Sequence, residues 1–182
     1  MRSGFPARGM IVTPAPATAT GPSTEDIVPN GTTSNSPAWT ITGGAGSVHA
    51  SLADASDTTY IDKGGDAAKS AVVTMGDLAS ASGRGIASFQ ILARGANASS
   101  SDSFNWQFTP AISGLTLSPT TYTPTDPGHT TPTDFTSGAF TKSGGGNFTE
   151  SDIDALTMTV AAGATGYSSG KIYRLRVRVT YA

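Results

Sequence analysis

Three well-separated stretches of this chain place apolar residues at every second position, and almost none places them at helical spacing. Trp39 and Ile41 alternate with Thr40 and Thr42, Phe104, Trp106 and Phe108 with Asn105, Gln107 and Thr109, and Leu156, Met158 and Val160 with Thr157 and Thr159. A period of two puts successive side chains on opposite faces, so each stretch predicts a half-buried strand. Residues 71–75 and 86–93 are more continuously apolar and predict strands covered on both faces, with Gly83, Gly85 and Gly95 punctuating the second. Helical pattern is confined to short stretches at 51–55 and 151–156, each opening on Ser and acidic residues suited to a single capped turn. Strands at intervals of roughly 8 to 15 residues, separated by Gly, Pro, Asn and Asp, predict an all-β antiparallel β-sandwich or barrel.

Composition then narrows the chemistry. Ser, Thr, Gly and Ala account for 96 of the 182 residues, cysteine is absent, and only two histidines occur. Without cysteine the fold holds by packing and sheet hydrogen bonds in any redox compartment. Charged residues make up 13% of the chain, against a usual value of about 25%, and the formal net charge is −2. Broad electrostatic attraction to nucleic acid is not expected of such a chain. The start lacks the apolar run of a secretory signal, and no stretch approaches the roughly 20 apolar residues of a membrane span. The expectation is a soluble, unprocessed protein with no membrane partner.

Residues 1–35 form a low-complexity arm with Pro6, Pro14, Pro16, Pro22 and Pro29 set among Ala and Thr. Proline fixes φ and removes backbone donors, so 13–20 is expected to be extended, able to lie along a surface but not to fold alone. Pro14 and Pro16 are accordingly candidate interface residues. Residues 36–182 are read as one β-sandwich domain, interrupted by a long Pro- and Thr-rich loop at 118–134 that is stiffened by Pro119, Pro124, Pro127 and Pro132.

The motifs that carry chemistry in other chains are weak in this one. Asp54, Asp57, Asp62 and Asp66 approach the composition of a calcium loop but lack its ligand order. They are expected to cap turns and the short helix instead, bonding nearby backbone amides. The stretch Gly166-Tyr167-Ser168-Ser169-Gly170 matches the Gly-x-Ser-x-Gly nucleophile elbow, yet an alternating strand follows it and both His49 and His129 lie upstream, against the hydrolase order. It reads as a hairpin loop. Neither Gly43-Gly44-Ala45-Gly46 nor Gly144-Gly145-Gly146 is followed by the residues of a phosphate cradle. Two isolated histidines make no metal site, His49 being placed on a strand or bend and His129 in a loop. Glu150, Asp152 and Asp154 are expected to cap and solubilise the turn before Leu156. No catalytic, cofactor or metal residue is assigned.

The closing strand is more distinctive. Arg174, Arg176 and Arg178 fall on one face, while Tyr173, Leu175, Val177, Val179 and Tyr181 fall on the other. The arginine face is either balanced by cross-strand acids or turned toward carboxylates of another subunit.

The order of these segments resembles that of β-sandwich structural proteins encoded by tailed bacteriophages. The resemblance covers about 37–181 and rests on the Trp-led strand at 39–42, the stretch Leu52-Ala53-Asp54-Ala55-Ser56-Asp57-Thr58-Thr59-Tyr60-Ile61, a central strand pair, Ile153-Asp154-Ala155-Leu156, and the closing strand at 172–181. It departs at the 118–134 insertion and at the preceding arm. What it implies is a jelly-roll-like virion component on the phage particle surface. Such a protein decorates and stabilises a capsid as a homo-oligomer contacting a major capsid protein, with no cofactor and no chemical step. The alternative is a carbohydrate- or receptor-binding module of a tail fibre or secreted protein, with Tyr60, Tyr122 and Tyr167 as the aromatics that would stack on a glycan.

Overall fold

The structure is a computed structural model, and it describes all residues except 1–23, 66, 80–82, 102–105, 126–127, 129 and 164–169. Its elements in chain order are β1 (Thr24–Ile27), β2 (Pro29–Asn35), β3 (Thr40–Thr42), α1 (Val48–Ala53), β4 (Tyr60–Asp62), β5 (Lys69–Met75), β6 (Ile86–Asn97), β7 (Trp106–Ala111), β8 (Leu117–Ser118), β9 (Thr133–Thr136), β10 (Thr141–Lys142), α2 (Glu150–Asp154), β11 (Thr157–Ala162) and β12 (Gly170–Tyr181).

Two antiparallel sheets face each other. The first has the order β3-β4-β12-β6-β9, with β1 also paired to β12, and the second the order β2-β5-β11-β7; β8 and β10 form a small ribbon. The chain changes sheet at nearly every connection: β5, β7 and β11 belong to the second sheet, and β6, β9 and β12 to the first. That alternation makes the fold an antiparallel, jelly-roll-like β-sandwich. Of the stretch expected as a hairpin loop at 166–170, residues 166–169 lie outside the described residues and Gly170 opens β12; β11 and β12 belong to different sheets.

Residues 24–35 belong to the sandwich rather than to a detached arm. β1 pairs with β12, and after Val28 the chain enters the second sheet as β2, paired with β5. Pro14 and Pro16 lie outside the described residues. β5 and β6 do not have two buried faces as their apolar runs suggested; both alternate, with Ala71, Val73, Met75, Ile86, Phe89, Ile91 and Ala93 inward and the intervening residues partly exposed. Each sheet has one face on the core and one on solvent, the usual state of antiparallel sheets.

The core fills the space between the sheets. Phe89 stacks on Phe140 with ring centroids 5.1 Å apart and planes 2° from parallel, and Phe148 tilts against the same ring at 5.6 Å. At one end the indole of Trp106, almost fully buried, lies against the backbone of Gly95 in β6 and Gly170 in β12. A Cβ at Gly95 would stand 2.0 Å from the ring, so only glycine admits this packing.

The short helices close the sandwich where sequence reading placed them only approximately. α1 begins at Ser47, whose hydroxyl accepts from Ala50 N, three residues or more before the expected start at Ser51. His49 is on this helix, not on a strand. Its Nδ1 lies 3.0 Å from the Thr32 hydroxyl and 3.1 Å from that of Ser47, and its backbone N–H donates to Thr32 Oγ1, which ties α1 to β2. α2 is held by a capping box in which Asp152 N donates to Thr149 Oγ1 and Thr149 N donates to Asp152 Oδ2.

Candidate functional site

The outward face of the first sheet carries the concentration of charge that the closing strand announced. β12 is 12 residues long, and its register against β6 sets Arg174 opposite Arg94, Arg176 opposite Leu92 and Arg178 opposite Gln90. On the other side of β6, β9 sets Asp134 opposite Arg94 and Thr136 opposite Leu92. β1 sets Asp26 opposite Arg178. Side chains of one face in adjacent strands are neighbours, so three parallel rows result: Arg174–Arg94–Asp134, Arg176–Leu92–Thr136, and Asp26–Arg178–Gln90.

The two outer rows are neutralised within the chain. Arg178 donates Nε and Nη2 to the two oxygens of Asp26 at 2.7 and 2.9 Å. Arg174 donates to Asp134 at 3.0 Å. Arg94 faces Arg174 directly, an arrangement that would repel if left bare. It is held by a fork to Asp57, both bonds 2.7 Å, and by a longer bond to Asp134 at 3.3 Å. Hydrogen bonds from these guanidinium groups hold the carboxyls of Asp26 and Asp57 below the usual aspartate range. The same bonds raise Arg94 and Arg178 further above neutrality.

The middle row has no such partner. Arg176 approaches Asp26 only at 4.0 Å, through Nη1, while Asp26 is engaged by Arg178. Its Nε is buried and meets no hydrogen-bond acceptor among the described residues. The Nε is closed to solvent, so a bound anion would reach Arg176 through the rest of its guanidinium, the side chain being 33% exposed. Arg176 sits in a cavity of about 230 Å³ whose walls include Arg174, Arg178, Asp26 and Asp134, with Leu92 and Thr136 completing the row.

The other predicted residues go elsewhere. Tyr173 is buried, but outside the main cluster between the sheets: a bulge between Ile172 and Arg174 breaks the alternation, Ile172 enters that cluster, and the Tyr173 ring lies tilted at 59° against Tyr60, with centroids 5.3 Å apart. Lys171 Nζ stands 4.7 Å from the centre of the Tyr60 ring, so a cation covers one face of that ring. Tyr122 exchanges backbone hydrogen bonds with Phe108, both 2.8 Å, and stacks on its ring; burial pushes its hydroxyl above the ordinary tyrosine value. This pins one end of the 118–134 loop to β7, while the other end, Asp134, becomes part of β9. Tyr167 and Ser168 lie outside the described residues, as do His129 and Asp66.

The acidic residues that suggested a cation loop are dispersed. Asp54 accepts from Ser56 N and Asp62 from Gly64 N, as turn caps do, whereas Asp57 is the partner of Arg94 rather than a cap. Among the described residues no three His, Cys, Asp or Glu side chains converge as metal ligands, and no helix is long and apolar enough to cross a membrane. Asp154 accepts from Leu78 N, Glu150 from Gly83 N, and Asp152 pairs with Lys142 at 2.9 Å, so all three tie α2 to neighbouring segments.

What sequence reading missed is the set of groups around the stripe. Asp26 lay in the presumed arm and Asp134 at the end of the presumed loop, and Leu92 and Thr136 carry no motif. Strand register alone brings them together.

No family model matches the chain, and no curated protein does. Among solved structures it is similar to the CBM36-1 domain of a multidomain xylanase from the hindgut metagenome of Trinervitermes trinervoides, at 10% identity over 87% of this chain and 98% of that one, with a TM-score of 0.39. It is also similar to the Stig cyclase Fisc from Fischerella sp. TAU, at 12% identity over 86% and 89% of the respective chains, with a TM-score of 0.35. Likenesses this distant carry no residue and no activity over to this chain.

Proposed function

We propose that this chain is a non-enzymatic binding domain that presents the arginine-lined cavity of its first sheet to an anionic ligand. The observation that carries the reading is Arg176: its side chain, 33% exposed, lines the cavity between two arginines that hold their acids at 3.0 Å or less, while its own nearest acid, Asp26, stands 4.0 Å away and is already held by Arg178. Arg174 and Arg178 position and neutralise, and Arg176 receives the ligand. This favours the binding-module alternative over capsid decoration. Two of the three arginines that were to meet carboxylates of a neighbouring subunit meet Asp134 and Asp26 of their own chain. Placement on a virion surface, homo-oligomer formation and contact with a capsid protein therefore rest on the phage resemblance alone.

The test compares wild type with Arg176→Gln in sodium acetate and in sodium chloride at matched ionic strength, following the melting temperature. A ligand that binds only the folded state stabilises it by about 2.7 kcal/mol at a hundred times its dissociation constant. Acetate is expected to raise the melting temperature of wild type above its value in chloride and to leave the variant unchanged. Equal responses of the two proteins would remove the reading.

A further inference from the structure

We infer that the ligand is a saccharide carrying one uronic acid, its carboxylate on Arg176, its ring on Leu92 and its hydroxyls toward Thr136 and Asp134. The inference rests on the anion-binding reading above and goes further, to the ligand's chemical class.

The charge of the patch limits the ligand first. Four arginines, Arg94, Arg174, Arg176 and Arg178, face three aspartates, Asp26, Asp57 and Asp134, and every aspartate is engaged by an arginine, Asp26 by Arg178 at 2.7 Å and only distantly, at 4.0 Å, by Arg176. One positive charge is left over, at Arg176. A monoanion balances it; a dianionic phosphate or a run of carboxylates would bring surplus negative charge against Asp26 and Asp134 on either side of the cavity.

The geometry of the middle row limits it further. Arg176, Leu92 and Thr136 are successive cross-strand neighbours on β12, β6 and β9, so they span about 10 Å from cation to hydroxyl across an aliphatic shelf. Beside that shelf stands Asp134, whose side chain is 62% exposed and gives one lone pair of each oxygen to Arg174 and Arg94. A carboxylate has about four acceptor directions, so two remain open, and they call for neutral donors. A ligand that satisfies the whole row thus has a carboxylate at one end, a C–H face in the middle and hydroxyl donors at the other. A pyranose uronic acid has all three in one rigid ring. A glutamate side chain offers the carboxylate on a flexible stem and leaves Thr136 and Asp134 without donors.

The probe is a disaccharide of one glucuronate and one neutral hexose, titrated against the full chain by calorimetry and by amide chemical shifts. Beside it are run its carboxyl-reduced form, a sulfate monoester of the neutral disaccharide, and a tetraglutamate peptide. Binding is expected for the uronate disaccharide and not for the reduced one. Arg176→Gln should weaken it about tenfold or more, Arg176→Lys should keep part of the affinity, and Thr136→Val should weaken it a few-fold, with each variant folded at the temperature of the titration as judged by its amide spectrum. If the sulfate ester or the peptide binds through Arg176 and the uronate does not, the saccharide inference is overturned while the anion site stands. If no member of the set binds in an Arg176-dependent way, both readings fall.

Discussion

Gly95→Ala places a single methyl group where the structure leaves no space, and the size of the penalty follows from three distances. A Cβ built at Gly95 meets the Trp106 ring at 2.0 and 2.1 Å and the backbone oxygen of Lys171 at 2.7 Å. Carbon atoms in contact prefer about 3.5–4.0 Å, so the ring would have to withdraw by about 1.5 Å. It has nowhere to go. Trp106 is 1% exposed, and the adjoining edge of its indole rests on Gly170 of the neighbouring strand, where a Cβ would stand 2.7 Å from the indole nitrogen. Alanine is intrinsically better than glycine in a strand by about 0.5–1 kcal/mol, so a site without a clash would be stabilised. Overpacking of a filled core costs about 1–3 kcal/mol, occasionally more, and with backbone as one of the two obstacles the upper end applies. A net loss of about 2–3 kcal/mol lowers the melting temperature by about 4–12 °C in a chain of this size. The assay is a double-mutant cycle by urea denaturation. Trp106→Ala alone should cost about 3–5 kcal/mol through the cavity it leaves. The double variant should cost less than the sum of the two by about 1 kcal/mol or more, because the alanine methyl then has room, with the Lys171 contact as the residue of strain. A stabilised Gly95→Ala, or strictly additive losses, would refute the packing described for this end of the sandwich.

Three further outcomes are expected. Ser137→Ala should destabilise by about 1–3 kcal/mol in urea denaturation, because the Ser137 hydroxyl accepts from the buried Ile91 N–H at 2.8 Å and its loss orphans that donor; a change within experimental error would mean the N–H finds another acceptor. At the acid end, the backbone N–H of Thr149 and the ammonium of Lys142 hold the Asp152 carboxyl below its ordinary value. Its folded-state pKa is depressed, so its contribution is complete above about pH 4 and is lost as pH falls through the folded value. Asp152→Asn should flatten the fall in stability below pH 4, and an unchanged acid profile would deny it that role. At the alkaline end, burial and the hydrogen bond donated to Glu25 push the Tyr181 hydroxyl up to about 12. This acid keeps its proton more tightly when folded, so the stability it adds is complete below pH 10 and is lost as pH rises toward 12. Burial raises Tyr122 and Tyr173 as well, so phenolate absorbance should show fewer tyrosines titrating near pH 10 in wild type than in the denatured chain, and Glu25→Gln should return part of the Tyr181 share alone.

The contrast between what could be read in the sequence and what could not is sharpest in the closing strand. That Arg174, Arg176 and Arg178 share a face followed from their spacing. That Tyr173 stands with them, against Tyr60, did not, because a bulge is a property of two strands meeting out of step. The buried faces of β7 and β11 were legible from Trp106, Phe108, Met158 and Val160. The continuous apolar runs at 71–75 and 86–93 misled, since Val72, Ala87 and Leu92 lie on the outer faces, where partial cover by neighbouring side chains tolerates them. Asp26 was assigned to an arm because proline and low complexity surround it, although four residues of that region suffice to add a strand to β12.

By itself, then, the sequence determined the class of the fold, most of its inward residues and the existence of a cationic stripe, all of which depend on the two-residue period of an extended backbone. Only the tertiary structure decided which sheet each strand joins and which arginine is left with no acid closer than 4.0 Å. Asp26 and Arg178 are 152 residues apart and Asp134 and Arg174 are 40 apart. Their pairing is set by strand order and register, and a shift of one residue along any strand would turn every side chain to the opposite face. Register is selected by the packing of both sheets at once, and no local stretch of sequence contains that information.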